Sequence, residues 1–278
     1  MPADAGPQAE QVARFRALHE DGCFVIPNPW DRGTVRALES LGFDALATTS
    51  AGFAFTRGLP DSVDALSLDE VLAHTAEIAA AARVPVNADF QSGYAETPEG
   101  VAENVRRCVA TGVAGLSIED ARSSGGLYEL DQAAARIRAA RRAIDETGTG
   151  VLLTGRAEGF LYGVPDPLDD AIARLRAYSD AGADVLFAPG VREPADIEAI
   201  VQAVASKPVN VLISTDTGLT VSDLAALGVR RISVGSALAR VAWAAFLGAA
   251  GAIAREGSFA PLGAGTPFAE LNELFSSG

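Results

Sequence analysis

The 278-residue chain holds 36 acidic against 22 basic residues, a formal charge of −14, with 49% hydrophobic and 21% charged residues. That balance predicts a packed globular core rather than a disordered chain. So acidic a protein repels nucleic acid and anionic membranes, and neither is expected as a partner. An anionic substrate would need locally placed arginine or a metal ion.

The length suits one large α/β barrel or two small domains. The residues through about Pro7 read as a loose terminus, with no basic segment ahead of an apolar core, so no signal peptide is expected. A helix from about Gln8 to Glu20 precedes the first strand, Cys23-Phe-Val-Ile-Pro. Asp31 is placed to cap a helix over Thr34 to Ser40, and Asp44-Ala-Leu-Ala-Thr-Thr reads as a second strand ending in Ser50-Ala-Gly-Phe-Ala. Ser67 caps a helix from Leu68 to Ala82. A third strand, Val84 to Asp89, leads to a helix that starts at Pro98, where the missing N–H costs nothing. The fourth strand runs from Val113 to Glu119, and a basic helix follows Arg122-Ser-Ser-Gly-Gly. Its Arg136 to Arg142 stretch is expected on a solvated face. Strands five to eight begin near Gly150, Ala183, Pro208 and Arg231, each followed by a helical segment.

Eight mostly apolar strands alternating with helices predict a (β/α)₈ barrel of TIM type in a single domain over residues 1–278. Cys23 and Cys108 show neither metal-ligand nor disulfide spacing. Both are expected as free, buried small side chains in a reducing cytoplasm. The Ala-rich run from Val241 to Ala254 is shorter than the ~20 residues of a membrane span. His19 and His74 are away from strand ends and are expected to be solvated or capping.

Function gathers where parallel strands end. Asp89 closes the third strand and Glu119 with Asp120 the fourth, which would bring hard oxygen ligands together as Mg²⁺ requires. One such carboxylate alone would more readily cap a helix or pair with arginine; two on neighbouring strands favour a site.

Asn87-Ala-Asp-Phe-Gln-Ser-Gly-Tyr, Ser117-Ile-Glu-Asp and Thr154-Gly-Arg-Ala-Glu, in this order, resemble the isocitrate lyase/phosphoenolpyruvate mutase superfamily. The resemblance runs from Asn28-Pro-Trp-Asp to Leu227-Gly-Val-Arg-Arg-Ile-Ser-Val-Gly. It implies Mg²⁺, with Mn²⁺ as an alternative, held by Asp89 and Glu119, and by Asn87 where the family has a first acid. It implies Ser50, Ala51 and Gly52 as a turn for a substrate carboxylate, Arg156 as its clamp, and Asp61 as a further acid. Tyr94 and Asn210 are further candidates for substrate contact. The implied chemistry passes through a pyruvate-type enolate of a small α-oxo acid.

The segment after the fourth strand departs from the best-known members. It reads Ala121-Arg-Ser-Ser-Gly-Gly-Leu-Tyr, without the lyase cysteine or the phosphonate enzymes' Lys and Asn, so Arg122 is its remaining catalytic candidate. Decarboxylation or related C–C cleavage of an oxaloacetate-like acid asks least of such a gate. Phosphonopyruvate C–P chemistry and α-oxo-acid binding with little turnover are the rivals. The resemblance also implies a homodimer or homotetramer, with residues 236–278 packing on a neighbouring subunit by helix swapping.

Overall fold

The computed structural model describes residues 6–62, 65–205 and 207–276, so most of the loose terminus expected through Pro7 lies outside the described residues. In chain order the elements are α1 (Pro7–Leu18), β1 (Phe24–Ile26), α2 (Arg32–Ser40), β2 (Leu46–Ala47), α3 (Ser50–Thr56), α4 (Leu68–Ala81), β3 (Val86–Asp89), α5 (Pro98–Val109), β4 (Gly115–Glu119) and α6 (Leu130–Thr147). There follow β5 (Leu152–Arg156), α7 (Gly159–Tyr162), α8 (Pro167–Asp180), β6 (Val185–Phe187), α9 (Pro194–Ala203), β7 (Val209–Leu212), α10 (Val221–Ala226), β8 (Arg231–Ser233), α11 (Ala237–Glu256) and α12 (Phe268–Ser276).

The eight strands pair in parallel in the order β1-β8-β7-β6-β5-β4-β3-β2. The amide of Ala47 donates to Pro27 O at 3.0 Å and laces the seam between the first two strands. The result is the expected (β/α)₈ barrel. Every residue of β4 is buried, as a strand covered on both faces should be. The expected caps are present: Asp31 with Thr34 and Ser67 with Glu70 each close a reciprocal capping box. Gly155 on β5 allows close approach of α8, since a Cβ there would stand 2.8 Å from Tyr178 Cβ.

Helix α1 closes the N-terminal end of the barrel. Gln8 Nε2 donates to Val109 O and Val113 O at 2.8 and 3.0 Å, Gln11 to Arg83 O at 3.1 Å and Arg16 to Gly150 O at 3.0 Å. These carbonyls precede β3, β4 and β5, so the helix lies across the strand starts and presses fully buried Phe15 inward. Gly115 at the start of β4 has no room for a side chain: a Cβ would stand 2.6 Å from the Phe15 ring.

Several expectations are corrected. Ser50-Ala-Gly-Phe is helical rather than the tail of a strand, because Thr49 caps it by accepting from Gly52 N at 3.1 Å. Neither histidine is solvated, although His19 is, as the capping alternative expects, a capping residue of α1. His74 is buried and stacked on Phe53 at 3.8 Å, and His19 ends α1 with its ring edge-on to Phe15 and Phe24. Arg136 is not on a solvated face either: it is 1% exposed, lies 4.0 Å from the Tyr128 ring centre and donates to the carbonyls of Ser92 and Glu96. Both cysteines are free, Cys108 buried and Cys23 half-buried.

The Ala-rich run is a 20-residue helix, α11, long and apolar enough by length and composition to cross a membrane. Ala239 is its buried residue, while Val241, Phe246 and Leu247 are more than 60% exposed. Helix α12 does not project away from the chain: Arg36 on α2 donates to Phe275 O at 3.3 Å, and Phe275 lies beside Gly33. Within residues 236–278, α12 is thus held against this chain's own α2.

Candidate active site

Strand periodicity delivers the acids. Asp89 ends β3, Glu119 ends β4 and Arg156 ends β5, and pairing sets Glu119 directly beside Arg156. Arg156 Nη1 lies 3.1 Å from Glu119 Oε2 and 3.4 Å from Asp89 Oδ1, while its Nε donates to Glu158 Oε1. Nη2 takes no partner among the described residues. Asp89 Oδ2 accepts from both the amide and the hydroxyl of Ser50, at 3.0 and 2.9 Å. The first turn of α3 is thereby fixed over the metal-ligand candidates.

Of these groups Asp89, Arg156 and Ser50 line a cavity of about 270 Å³ at the C-terminal ends of the strands. Ser50, Ala51, Asp61, Asn87, Asp89, Arg156 and Asn210 are on its wall, as are Asn28, Ser117, Arg231 and Ser233. Asn28 Oδ1 accepts from the amides of Val234 and Gly235, tying the loop after β8 to the loop after β1. Asn210 meets the polar partners that an amide in an apolar strand requires: Nδ2 donates to Ser233 Oγ at 3.0 Å and Oδ1 accepts from Arg231 Nε at 2.9 Å.

Glu158, directly beyond β5, is positioned from behind. Its amide donates to Asp120 Oδ1 at 2.9 Å, while Asp120 Oδ2 accepts from Tyr178 OH at 2.5 Å and Arg174 Nη1 at 3.1 Å, both on α8. Burial pushes the Asp120 carboxyl upward, and Tyr178, the Glu158 amide and Arg174 counter it. The same opposition governs the cavity. Burial raises Glu119 to about 8 against the pull of Arg156, with Glu158, Asp89 and Asp120 adding to the rise. Burial and then Asp89 raise Asp61, while Arg156 lowers it. Burial disfavours the Arg156 charge, yet Glu158, Glu119 and Asp89 outweigh it and push the guanidinium upward.

Four candidates are not on the cavity wall: Glu119, which is buried against Arg156, Gly52, Arg122 and Tyr94. The segment after β4 folds back on itself, with Ala121 bridged to Leu127, and Arg122 lies 5.5 Å from the Tyr128 ring centre. Ser123 Oγ and Tyr128 OH donate to Glu96 at 2.6 and 2.9 Å, pinning the segment to the loop after β3. Tyr94, at φ 54°, packs on Phe90 and lines a separate hollow with Ser92, Glu96 and Ser123. Asp120, expected beside Glu119 among the oxygen ligands, is instead committed to the Glu158 amide, Tyr178 and Arg174, while Arg231, Arg174 and Glu96 were not anticipated as site residues. The one available signal was a charged residue heading the apolar run Arg231-Ile-Ser-Val.

The donor set fits a hard divalent cation. No group of three or more His, Cys, Asp or Glu side chains with metal-binding geometry occurs among the described residues. Mg²⁺, however, commonly takes one or two carboxylates and fills its remaining positions with water and substrate oxygen. Asp89 and Glu119 supply two convergent carboxylates. Asn87 lies two residues deeper on the same strand face, and its buried Oδ1 accepts no hydrogen bond and lies against Gly115.

The phosphoenolpyruvate phosphomutase family profile matches residues 15–254. A solved structure from Burkholderia cenocepacia shares 47% identity, covering 97% of each chain at a TM-score of 0.92. An uncharacterized Mycobacterium tuberculosis protein is 34% identical over 264 residues, 92% of this chain and 94% of that one. Oxaloacetate decarboxylase of Paraburkholderia xenovorans is 28% identical over 242 residues, 84% of this chain and 77% of the enzyme.

Proposed function

The chain belongs to the phosphoenolpyruvate phosphomutase family, a superfamily of lyases and mutases, and on that premise we propose that it cleaves a C–C bond of a small α-oxo dicarboxylic acid through a pyruvate-type enolate. The observation that carries this reading is the meeting of Asp89 and Glu119 on one nitrogen of Arg156, which with Asp89 lines the cavity at the strand ends. Mg²⁺ or Mn²⁺ held by Asp89 and Glu119 would supply Lewis-acid polarisation of the oxo group, while Asn87, its Oδ1 buried against Gly115, would not ligate it.

The chain's own residues do the rest. The Ala51 amide is the donor of that turn left to orient the substrate carboxylate, since Asp89 takes both the amide and the hydroxyl of Ser50 and Thr49 takes the Gly52 amide. Arg156 stays charged and directs its uncommitted Nη2 at the oxygen where negative charge develops. The C3–C4 bond breaks, its electrons enter the enolate and CO₂ departs. C3 is then protonated by water, since the gate carries neither cysteine nor histidine. Asp61 adds a negative wall beside Asp89, and Arg122 and Tyr94 act at most by moving with the gate.

The exposed apolar face of α11 supports a homo-oligomer built through that helix. Light scattering at micromolar concentration should report a dimer or tetramer, and a monomer would exclude it.

The activity is tested by release of pyruvate, or of the alkyl-substituted 2-oxo acid from alkyl oxaloacetates, with and without Mg²⁺, from oxaloacetate, alkyl-substituted oxaloacetates and malates, methylisocitrate and phosphonopyruvate. Metal-dependent pyruvate that disappears in Asp89→Ala supports the reading. Phosphate or phosphoenolpyruvate from phosphonopyruvate would replace it with C–P chemistry. Failure of every substrate, with α-oxo acids still raising the melting temperature, would replace it with binding alone.

A further inference from the structure

Arg231 is the first residue of β8, two residues below the strand end and so roughly 7 Å deeper at ~3.3 Å per residue. It is 3% exposed, yet it forms part of the wall of the cavity that Asp89 and Arg156 head. In a chain with 36 acidic residues, no described carboxylate comes within ion-pair distance of it. All its partners are neutral. Nε donates to Asn210 Oδ1 at 2.9 Å and Nη2 to Thr154 Oγ1 at 3.1 Å. Nη1 lies 3.4 Å from His19 Nε2. His19 Nδ1 is 2.8 Å from Phe15 O and carries the ring proton, so Nε2 is an acceptor there.

The local count of hydrogen-bonding groups leaves donors over. A guanidinium has five N–H groups; three are used, leaving one on each terminal nitrogen. Ser233 Oγ accepts from Asn210 Nδ2 and Thr154 Oγ1 accepts from Arg231, and neither hydroxyl has an acceptor of its own among the described residues. Asn210 Oδ1 and His19 Nε2 are already engaged. A buried cation surrounded by spare donors, with a polar cavity on one side, lacks an acceptor that carries charge.

We propose that Arg231, with Ser233, forms an anion subsite at the base of the cavity that takes a single carboxylate or a comparable small monoanion. One guanidinium without a second cation matches one negative charge, and two parallel N–H groups match the two oxygens of a carboxylate. Two sources share that chemistry: the second carboxylate of a dicarboxylic substrate, or a free anion that remains while the substrate binds above. The subsite stands without the proposed reaction; only the first source rests on it.

Bromide-soaked crystals of the intact wild-type protein test the proposal without requiring turnover. An anomalous peak within hydrogen-bond reach of the Arg231 guanidinium is the expected result. Displacement of that peak by succinate, but not by pyruvate, identifies the substrate's second carboxylate; persistence with both identifies a free anion. Water alone at Arg231, at bromide concentrations that fill other sites, overturns the proposal. In solution, formate should raise the melting temperature of the wild type, and Arg231→Gln should weaken that formate affinity about tenfold to a hundredfold. An unchanged formate response in folded Arg231→Gln would also overturn it. Because neither readout needs pyruvate release, failure of the subsite and failure of the reaction remain distinguishable.

Discussion

Arg156, half-buried, and Arg231, fully buried, are on one cavity wall, and their surroundings are opposite. Arg156 has three carboxylates within ion-pair distance, from Asp89, Glu119 and Glu158. Arg231 has an amide, a hydroxyl and an imidazole. Burial lowers Arg231 to about 9, whereas the carboxylates around Arg156 reverse the same penalty and push it up. The layer at the strand ends thus carries surplus negative charge suited to a cation, and the layer beneath it carries surplus positive charge. A cavity so divided suits a ligand that brings a metal to one end and an anion to the other.

The largest break in that comparison should come from Arg156→Gln. Losing the positive charge beside three carboxylates, two of them buried, should cost about 3–5 kcal/mol, read as a shift of the urea midpoint at constant m. Removal of a preorganised charge at the developing oxyanion should lower kcat by roughly 10²–10³. Retention of wild-type stability would mean that the carboxylates are protonated or hydrated in solution.

A smaller effect tests whether burial alone governs a group that lacks an ionic partner. His74 is pushed down to about 4 from 6.5, first by burial and then by Arg57, with Asp31 opposing. Between those values the unfolded chain binds more protons than the folded one. Stability should therefore be complete above about pH 6.5 and fall as pH drops toward 4, by up to a few kcal/mol at about 1.4 kcal/mol per unit. Melting curves of the wild type against His74→Phe across that range provide the check, and the variant should lose that part of the slope. An equal slope in both proteins would place the acid sensitivity elsewhere, with His19 next in line.

The barrel was legible because strand and helix periods, glycine stops and caps such as Asp31 and Ser67 are local signals. The strand-end acids were legible because strand ends concentrate ligands whatever the sequence between them. What escaped depends on contacts far apart in the chain. Arg136 belongs to a basic helix and reads as solvated, until Tyr128 and the carbonyls of Ser92 and Glu96 are seen to enclose it. Arg231 contacts residues 21, 77 and 212 positions away, and no window of sequence holds that information. Asn87 could be placed on the right strand face, but not its unpaired oxygen.

Arg231→Gln sharpens the comparison from the other side. Glutamine keeps some of the polar contacts and removes a charge that has no carboxylate to offset it, so lost hydrogen bonds and relieved desolvation oppose each other. The expected change in stability is about 1 kcal/mol in either direction, well short of Arg156→Gln. A loss as large as that of Arg156 would show that the neutral cage, rather than an anion, fully solvates the guanidinium.

The smallest effect should come from Glu96→Gln, which leaves both arginines and the cavity wall untouched. Glu96 is exposed, and its carboxyl is lowered first by the Ser123 hydroxyl and then by that of Tyr128, the bonds that pin the gate to the loop after β3. Exposed contacts of this kind contribute less than about 1 kcal/mol to global stability. The gate is a local unit, however, and a weaker latch should appear as faster amide exchange over Arg122–Leu127 while the barrel strands stay protected. If the gate closes during turnover with this latch intact, KM should rise a few-fold while the Mg²⁺ requirement stays unchanged. Faster exchange with unchanged KM would separate the latch from the catalytic cycle, leaving the division between the two arginine layers as the feature on which activity depends.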